Sequence, residues 1–194
     1  MNKKILIPCA IILIVGIYWF LFDGSGQGVT LTILHLNDGE SQLLHAGKGI
    51  EDFGGAARSV TVVKNLRSAA TTDVVLTLSS GDNFLAGPEF KASLAAYNPA
   101  LGGVNIYYDA KALDAIGYDA ILLGNHDFDF GPALLADFIS TGFSNTFPRY
   151  LSANIDFTGE PALQSLVARG RIAKRIIIKK NGHTFGIIGA TTPN

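Results

Sequence analysis

From Val29 onward the chain alternates short β-branched runs with segments of helical spacing, and this alternation limits the folds open to it. "VTLTILHL" (29–36), "DVVLTLSS" (73–80) and "YDAILL" (118–123) read as short buried strands, and "RYLSANI" (149–155) as a fourth. Between the first two, "GGAARSVTVVKNLRSAA" (54–70) sets Ala57, Val60, Val63, Leu66 and Ala70 near helical spacing, with Arg58, Lys64 and Arg67 off that face. "NIYYDAKALDAIG" (105–117) reads as a helix, and so does "PALLADFISTG" (132–142), with Pro132 in its first turn. Residues 86–104 carry Pro, Gly and Asn and suit a loop or short helix. The stretch 171–192 predicts two strands around the Asn-Gly turn of "KNGH". Together these patterns predict an α/β fold whose sheet is largely parallel or mixed and covered on both faces.

In such sheets ligands gather outside the carboxyl ends of the strands. Three consecutive strands end in polar turns here: Asp38 after the first, Asp82 after the second, Asn125 and His126 after the third, 44 and 43 residues apart. They are expected to converge at one edge, with residues 86–104 lying over them. Carboxylates, an amide oxygen and imidazole suit Zn²⁺, Mn²⁺, Mg²⁺ or Fe. Paired ions ~3.5–4 Å apart commonly share one bridging carboxylate, polarise a phosphoryl oxygen and generate hydroxide. Asp82, on the middle turn, is the bridging candidate, with Asp38 on one ion and Asn125 on the other. His126 diverges from its neighbour Asn125, so it is better placed to protonate a leaving alkoxide, with Asp129 fixing its tautomer. Phe128 and Phe130 are expected to pack beneath this loop, and Asp127 to be a structural carboxylate. His35 reads as a packed core histidine, His45 and His183 as surface residues.

The remaining composition mostly excludes. Charged residues make up 16% of the 194 and the net charge is −1. The cations between Arg169 and Lys180 alternate with isoleucines as the solvated face of a strand pair, so no nucleic-acid footprint is evident. Cys9 is the only cysteine, which rules out a disulfide framework or a cysteine metal site within this chain. At the N-terminus, Lys3 and Lys4 precede an apolar run from Ile5 to Phe22 and a Gly/Ser/Gln linker. Residues 1–28 are therefore expected to be a signal peptide or membrane anchor plus linker, placing residues 29 onward outside the cytoplasm, in the periplasm or beyond.

"LTILHLND", "GGAARSVTVVKNLR", "LTLSSGDNF", "YDAILLGNHDFDFG", "FPRYLSANI" and "GHTFGIIGATT" resemble, in order, successive signatures of the calcineurin-like metallophosphoesterases, over about residues 30–192. The nearest branch is that of exported bacterial 5'-nucleotidases, UDP-sugar hydrolases and 2',3'-cyclic phosphodiesterases. The resemblance implies a four-layer αββα sandwich, incomplete here, with residues 29–194 its N-terminal part. It implies two divalent metal ions, Asp38 and Asp82 on the first, Asp82 and Asn125 on the second, and a catalytic dyad of His126 and Asp129. The implied substrate is a small phosphate ester, a nucleotide above all. Two departures stand out. Glu40 occupies the place of the family's Asp-x-His histidine, which favours a harder ion if it ligates and leaves that site weaker if it does not. The family's remaining ligands come from a second half of the domain, so the fragment alone is expected to be inactive. Three readings follow: a metal-dependent phosphomonoesterase, a catalytically inactive remnant or binding module, and a cyclic-nucleotide phosphodiesterase on the same scaffold.

Overall fold

Five parallel strands lie side by side in the order in which the chain makes them. They are β1 (Leu31–Leu36), β2 (Val74–Ser79), β3 (Ala120–Leu122), β4 (Arg149–Leu151) and β5 (Ile172–Ala173). Helices α1 (Ala56–Ala69), α2 (Pro88–Ala95), α3 (Tyr108–Ile116), α4 (Pro132–Thr141) and α5 (Pro161–Ala168) connect them, and a hairpin of β6 (Arg175–Lys180) and β7 (His183–Ile188) follows. The computed structural model describes residues 28–95, 106–143 and 149–192, and Leu31–Asn194 form a unit of their own. The expected signal peptide or anchor lies outside the described residues, as do 96–105 of the segment expected over the site. Among the described residues no helix is long and apolar enough to cross a membrane.

Sequential strand order combined with right-handed crossovers puts the connecting helices on one face of the sheet. Val63 of α1, Leu113 and Ile116 of α3, Leu135 and Phe138 of α4 and Leu163 of α5 accordingly share one core cluster with Ile121 and Tyr150 of the sheet. Packed rings extend that cluster toward the carboxyl edge, with Phe84–Phe138 stacked at 4.4 Å, Phe84–Phe90 stacked at 5.1 Å and Phe90–Phe130 tilted at 4.7 Å between centroids. Each fully buried ring contributes on the order of 2–3 kcal/mol, so α2 and the loop after β3 are held by the core itself.

The opposite face carries Val74, Leu76, Ala120 and Leu151, buried but outside the helix-side cluster. Its cover is the β6–β7 hairpin, not a second set of helices. Asn181 and Gly182 turn the hairpin with φ of 51° and 80°, the left-handed pair a two-residue turn requires. Lys180 Nζ binds the Asp119 carboxylate at 2.9 Å, and Asn181 Nδ2 donates to the Asp73 carbonyl at 2.8 Å. At the other end Thr191 Oγ1 donates to the Leu123 carbonyl at 2.7 Å. Helices, parallel sheet and hairpin are thus three successive layers of the αββα arrangement. Two elements went unread in the sequence: α5, and β5, which joins the parallel sheet before the hairpin starts.

Candidate functional site

The strands end, but their alignment continues into the turns. Asp38 N–H donates to the Gly81 carbonyl at 3.2 Å, Glu40 N–H to Asp82 O at 3.0 Å and Ser41 N–H to Asn83 O at 3.3 Å. From the third turn, His126 N–H donates to Asp82 Oδ1 at 2.8 Å. The three polar turns therefore converge at the carboxyl edge. The convergence is strained. Asp38, Glu40, Ser41 and Asp82 all adopt left-handed backbone, with φ of 52°, 45°, 57° and 53°. Such conformations cost of order 1–3 kcal/mol each and persist where surrounding structure over-determines them. Gly81, at φ 94°, lets the turns touch: a Cβ there would lie 2.2 Å from the Gly124 nitrogen.

His126 Nδ1 and Asp129 Oδ2 stand 2.9 Å apart, both side chains near half exposed. The hydrogen bond to Asp129 holds the imidazole pKa above its ordinary value, and the charges of Asp129, Asp82 and Glu40 push the same way. Among the described residues no Lys or Arg pairs with Asp38, Glu40 or Asp82. Asn37 Nδ2 donates to Asp38 Oδ2. An exposed edge with several carboxylates and no cation among its described neighbours fits a divalent ion. The fit is that of a partial shell: among the described residues, no three His, Cys, Asp or Glu side chains stand together in metal-holding geometry.

Asp127 proves to be a structural carboxylate with a definite job. It is 1% exposed and accepts the Gly124 N–H at 2.8 Å, while the backbone N–H groups of Asp82 and Asn83 also bear on it. Burial raises its pKa to about 7. It fastens the second turn to the third from behind. Phe128 and Phe130 pack against the core below, as expected. His35 departs from expectation: it is exposed on β1, on the face the hairpin leaves bare, with Nε2 2.7 Å from Ser80 Oγ. His45 is exposed and takes the Gly47 N–H, while His183 is half-buried at the start of β7. Sequence reasoning missed Asp109, 1% exposed on α3, whose pKa burial raises to about 6 against the partial relief of the nearby Ser41 hydroxyl. The signal was available, since Asp109 falls on the helical stripe of Leu113 and Ile116.

No family model matches the chain. Over 190 residues it is 33% identical to a snake venom 5'-nucleotidase of Gloydius brevicauda, an alignment covering 94% of this chain and 29% of that protein. Among solved structures, a 5'-nucleotidase precursor from Thermus thermophilus is similar with a TM-score of 0.64 at 31% identity, over 84% of this chain and 29% of that one. The calcineurin-like phosphoesterase YfkN of Bacillus subtilis shares the fold, with a TM-score of 0.60 at 24% identity, over 85% and 49%. The chain spans less than a third of the length of the curated relatives it matches.

Proposed function

We propose that this chain, which belongs to the calcineurin-like metallophosphoesterases on the branch of the 5'-nucleotidases, carries the acid-bearing part of a metal-dependent phosphoric ester hydrolase acting on nucleotides. The observation that carries the reading is the exposed His126–Asp129 pair, 2.9 Å apart, beside carboxylates that no Lys or Arg among the described residues pairs with, at one sheet edge. Asp129 accepts the proton on Nδ1, which leaves Nε2 free to face substrate. Raising the imidazole pKa favours the form that carries a proton at Nε2, the proton that would pass to the leaving alkoxide. Asp38, Glu40, Asp82 and Asn125 are the residues that would hold divalent metal, with Asp82 central because its turn touches both others. When bound, such ions supply Lewis-acid polarisation of the phosphoryl oxygen and an acidified water. An all-oxygen set that includes Glu40 favours Mn²⁺ or Mg²⁺ over softer ions. Export belongs to the same proposal, supported by Lys3 and Lys4 ahead of the apolar run 5–22.

Hydrolysis of a chromogenic phosphate monoester by the native-length protein, with and without Mn²⁺ or Zn²⁺, tests the reading. His126→Ala is expected to lower kcat by roughly 10²–10⁴; wild-type turnover in that variant would remove His126 from the acid role. The incomplete metal shell favours a second reading, a relative that binds ligand without turnover. Bound metal with no hydrolysis at native length supports that reading. Competition between nucleoside monophosphates and phosphate diesters separates monoesterase from diesterase.

A further inference from the structure

Beneath the polar turns lies a cavity of about 100 Å³, and Asn37, Gln42, Ser59, Asn83, Asp109 and Tyr118 are the polar residues that line it. Asp109 is 1% exposed, and among the described residues only the adjacent Ser41 hydroxyl and its own backbone N–H bear on its carboxylate, whose two oxygens make no well-formed hydrogen bond. Asn83 is 7% exposed, and its Nδ2 has no partner among the described residues. The orientation of that amide follows from its neighbours. Ser79 Oγ accepts the Gly81 N–H at 3.2 Å and donates its own proton to Asn83 Oδ1 at 3.0 Å. The donor end of Asn83 is left for the cavity. Ser41, beside Asp109, spends its hydroxyl proton on the Leu85 carbonyl at 3.0 Å. Glu89 on α2 is a carboxylate whose charge works against that of Asp109.

A buried acceptor and a buried donor facing one cavity call for a group that accepts from one and donates to the other. Water does both, and the cavity has room for it, since a water's share of liquid volume is about 30 Å³. A cation would meet the N–H end of Asn83. We propose that Asp109 is a positioning residue for the candidate centre, joined through ordered water to Asn83 and so setting the turns that carry Asp82 and Glu40. The linkage is short: Asn83 directly follows Asp82, Ser41 directly follows Glu40, and Ser41 N–H donates to the Asn83 carbonyl. Asp109 thus lies behind both candidate ligand turns at once. The proposal deepens the phosphoesterase reading and rests on it for the ligand roles of Glu40 and Asp82.

The test uses the full chain and compares wild type with Asp109→Val, Asp109→Asn, Asn83→Ala and the Val/Ala double variant. Two quantities are read: Mn²⁺ affinity by calorimetry, and hydrogen exchange at the Glu40 and Ser41 amides. Asp109→Val is expected to weaken Mn²⁺ binding about tenfold, the scale on which groups behind metal ligands act, and to speed exchange at both amides. Its melting temperature is expected to change little, because the loosening is local to the two turns. Asp109→Asn, which keeps an acceptor, restores most of both readouts, and the double variant is no worse than either single one. Unchanged affinity and exchange in Asp109→Val, or additive effects in the double variant, would overturn the proposal. Should Asp109→Val fail to fold, Asn83→Ala alone must loosen the same two amides, and its failure to do so would be equally fatal. If wild type binds no Mn²⁺, the metal reading falls, and the exchange data by themselves decide the role of Asp109.

Discussion

Asp129 does one measurable thing to its neighbour: it raises the imidazole pKa of His126. Replacing Asp129 by Asn is expected to return His126 to the ordinary range, as followed by NMR titration of the ring protons; an unmoved midpoint would assign the shift to Asp82 and Glu40 instead. The linkage has a definite sign. A raised folded-state value means the pair contributes fully below the ordinary imidazole pKa, and the contribution drains away as pH climbs through the folded value. At this scale the sequence was partly legible. His126 and Asp129 could be paired because three residues of spacing fit a short helical turn, and the chain makes that turn over His126–Phe128. Asp127 was legible as a structural carboxylate and Asp109 lay on an apolar helical stripe, but what each one fastens could be read only once its neighbours were known. Each owes its role to groups far along the chain, the turn at Asp82 for the one and the cavity shared with Asn83 for the other.

Among the elements, the spacing of the polar turns is the register of the sheet carried forward. Leu31 pairs with Val74 and Leu78 with Ala120, offsets of 43 and 42 residues. The turn residues lie 44 and 43 apart, one more in each case. Parallel neighbours with a constant offset bring such residues to a common edge, and for this reason the convergence was readable without coordinates. What β5 and α5 lacked was length: two residues in one and eight in the other, too few to establish a period. The closeness of the turns yields a further prediction. Gly81→Ala combines a left-handed φ with a Cβ 2.2 Å from the Gly124 backbone, so it is expected to cost at least about 1–3 kcal/mol and to push the second and third turns apart. Denaturant midpoints measure the first effect. Loss of protection at the His126 amide measures the second, and a variant matching wild type in both would show the turns to be less tightly apposed.

For the whole molecule, the layered order of helices, sheet and hairpin was expected in kind, while the one-sided placement of the helices follows from the strand order. That order also sets when the site comes into being. The β1–β2 and β2–β3 ladders each join residues more than forty positions apart, so a loop must be closed before any of their contacts form. The carboxylates of the first two turns therefore face one another only after the β1–β2 ladder closes, and His126 joins them only when β3 docks. On this order the like charges are expected to meet late in folding, and a cation they attract to arrive after the rate-limiting step. Added Mn²⁺ should accordingly slow unfolding and leave the refolding rate unchanged, a split that stopped-flow measurements on both limbs would reveal. Accelerated refolding would mean that the turns are already assembled in the transition state. Strand order here acts as a timer: what the finished protein uses for binding, the folding chain meets only as a final step.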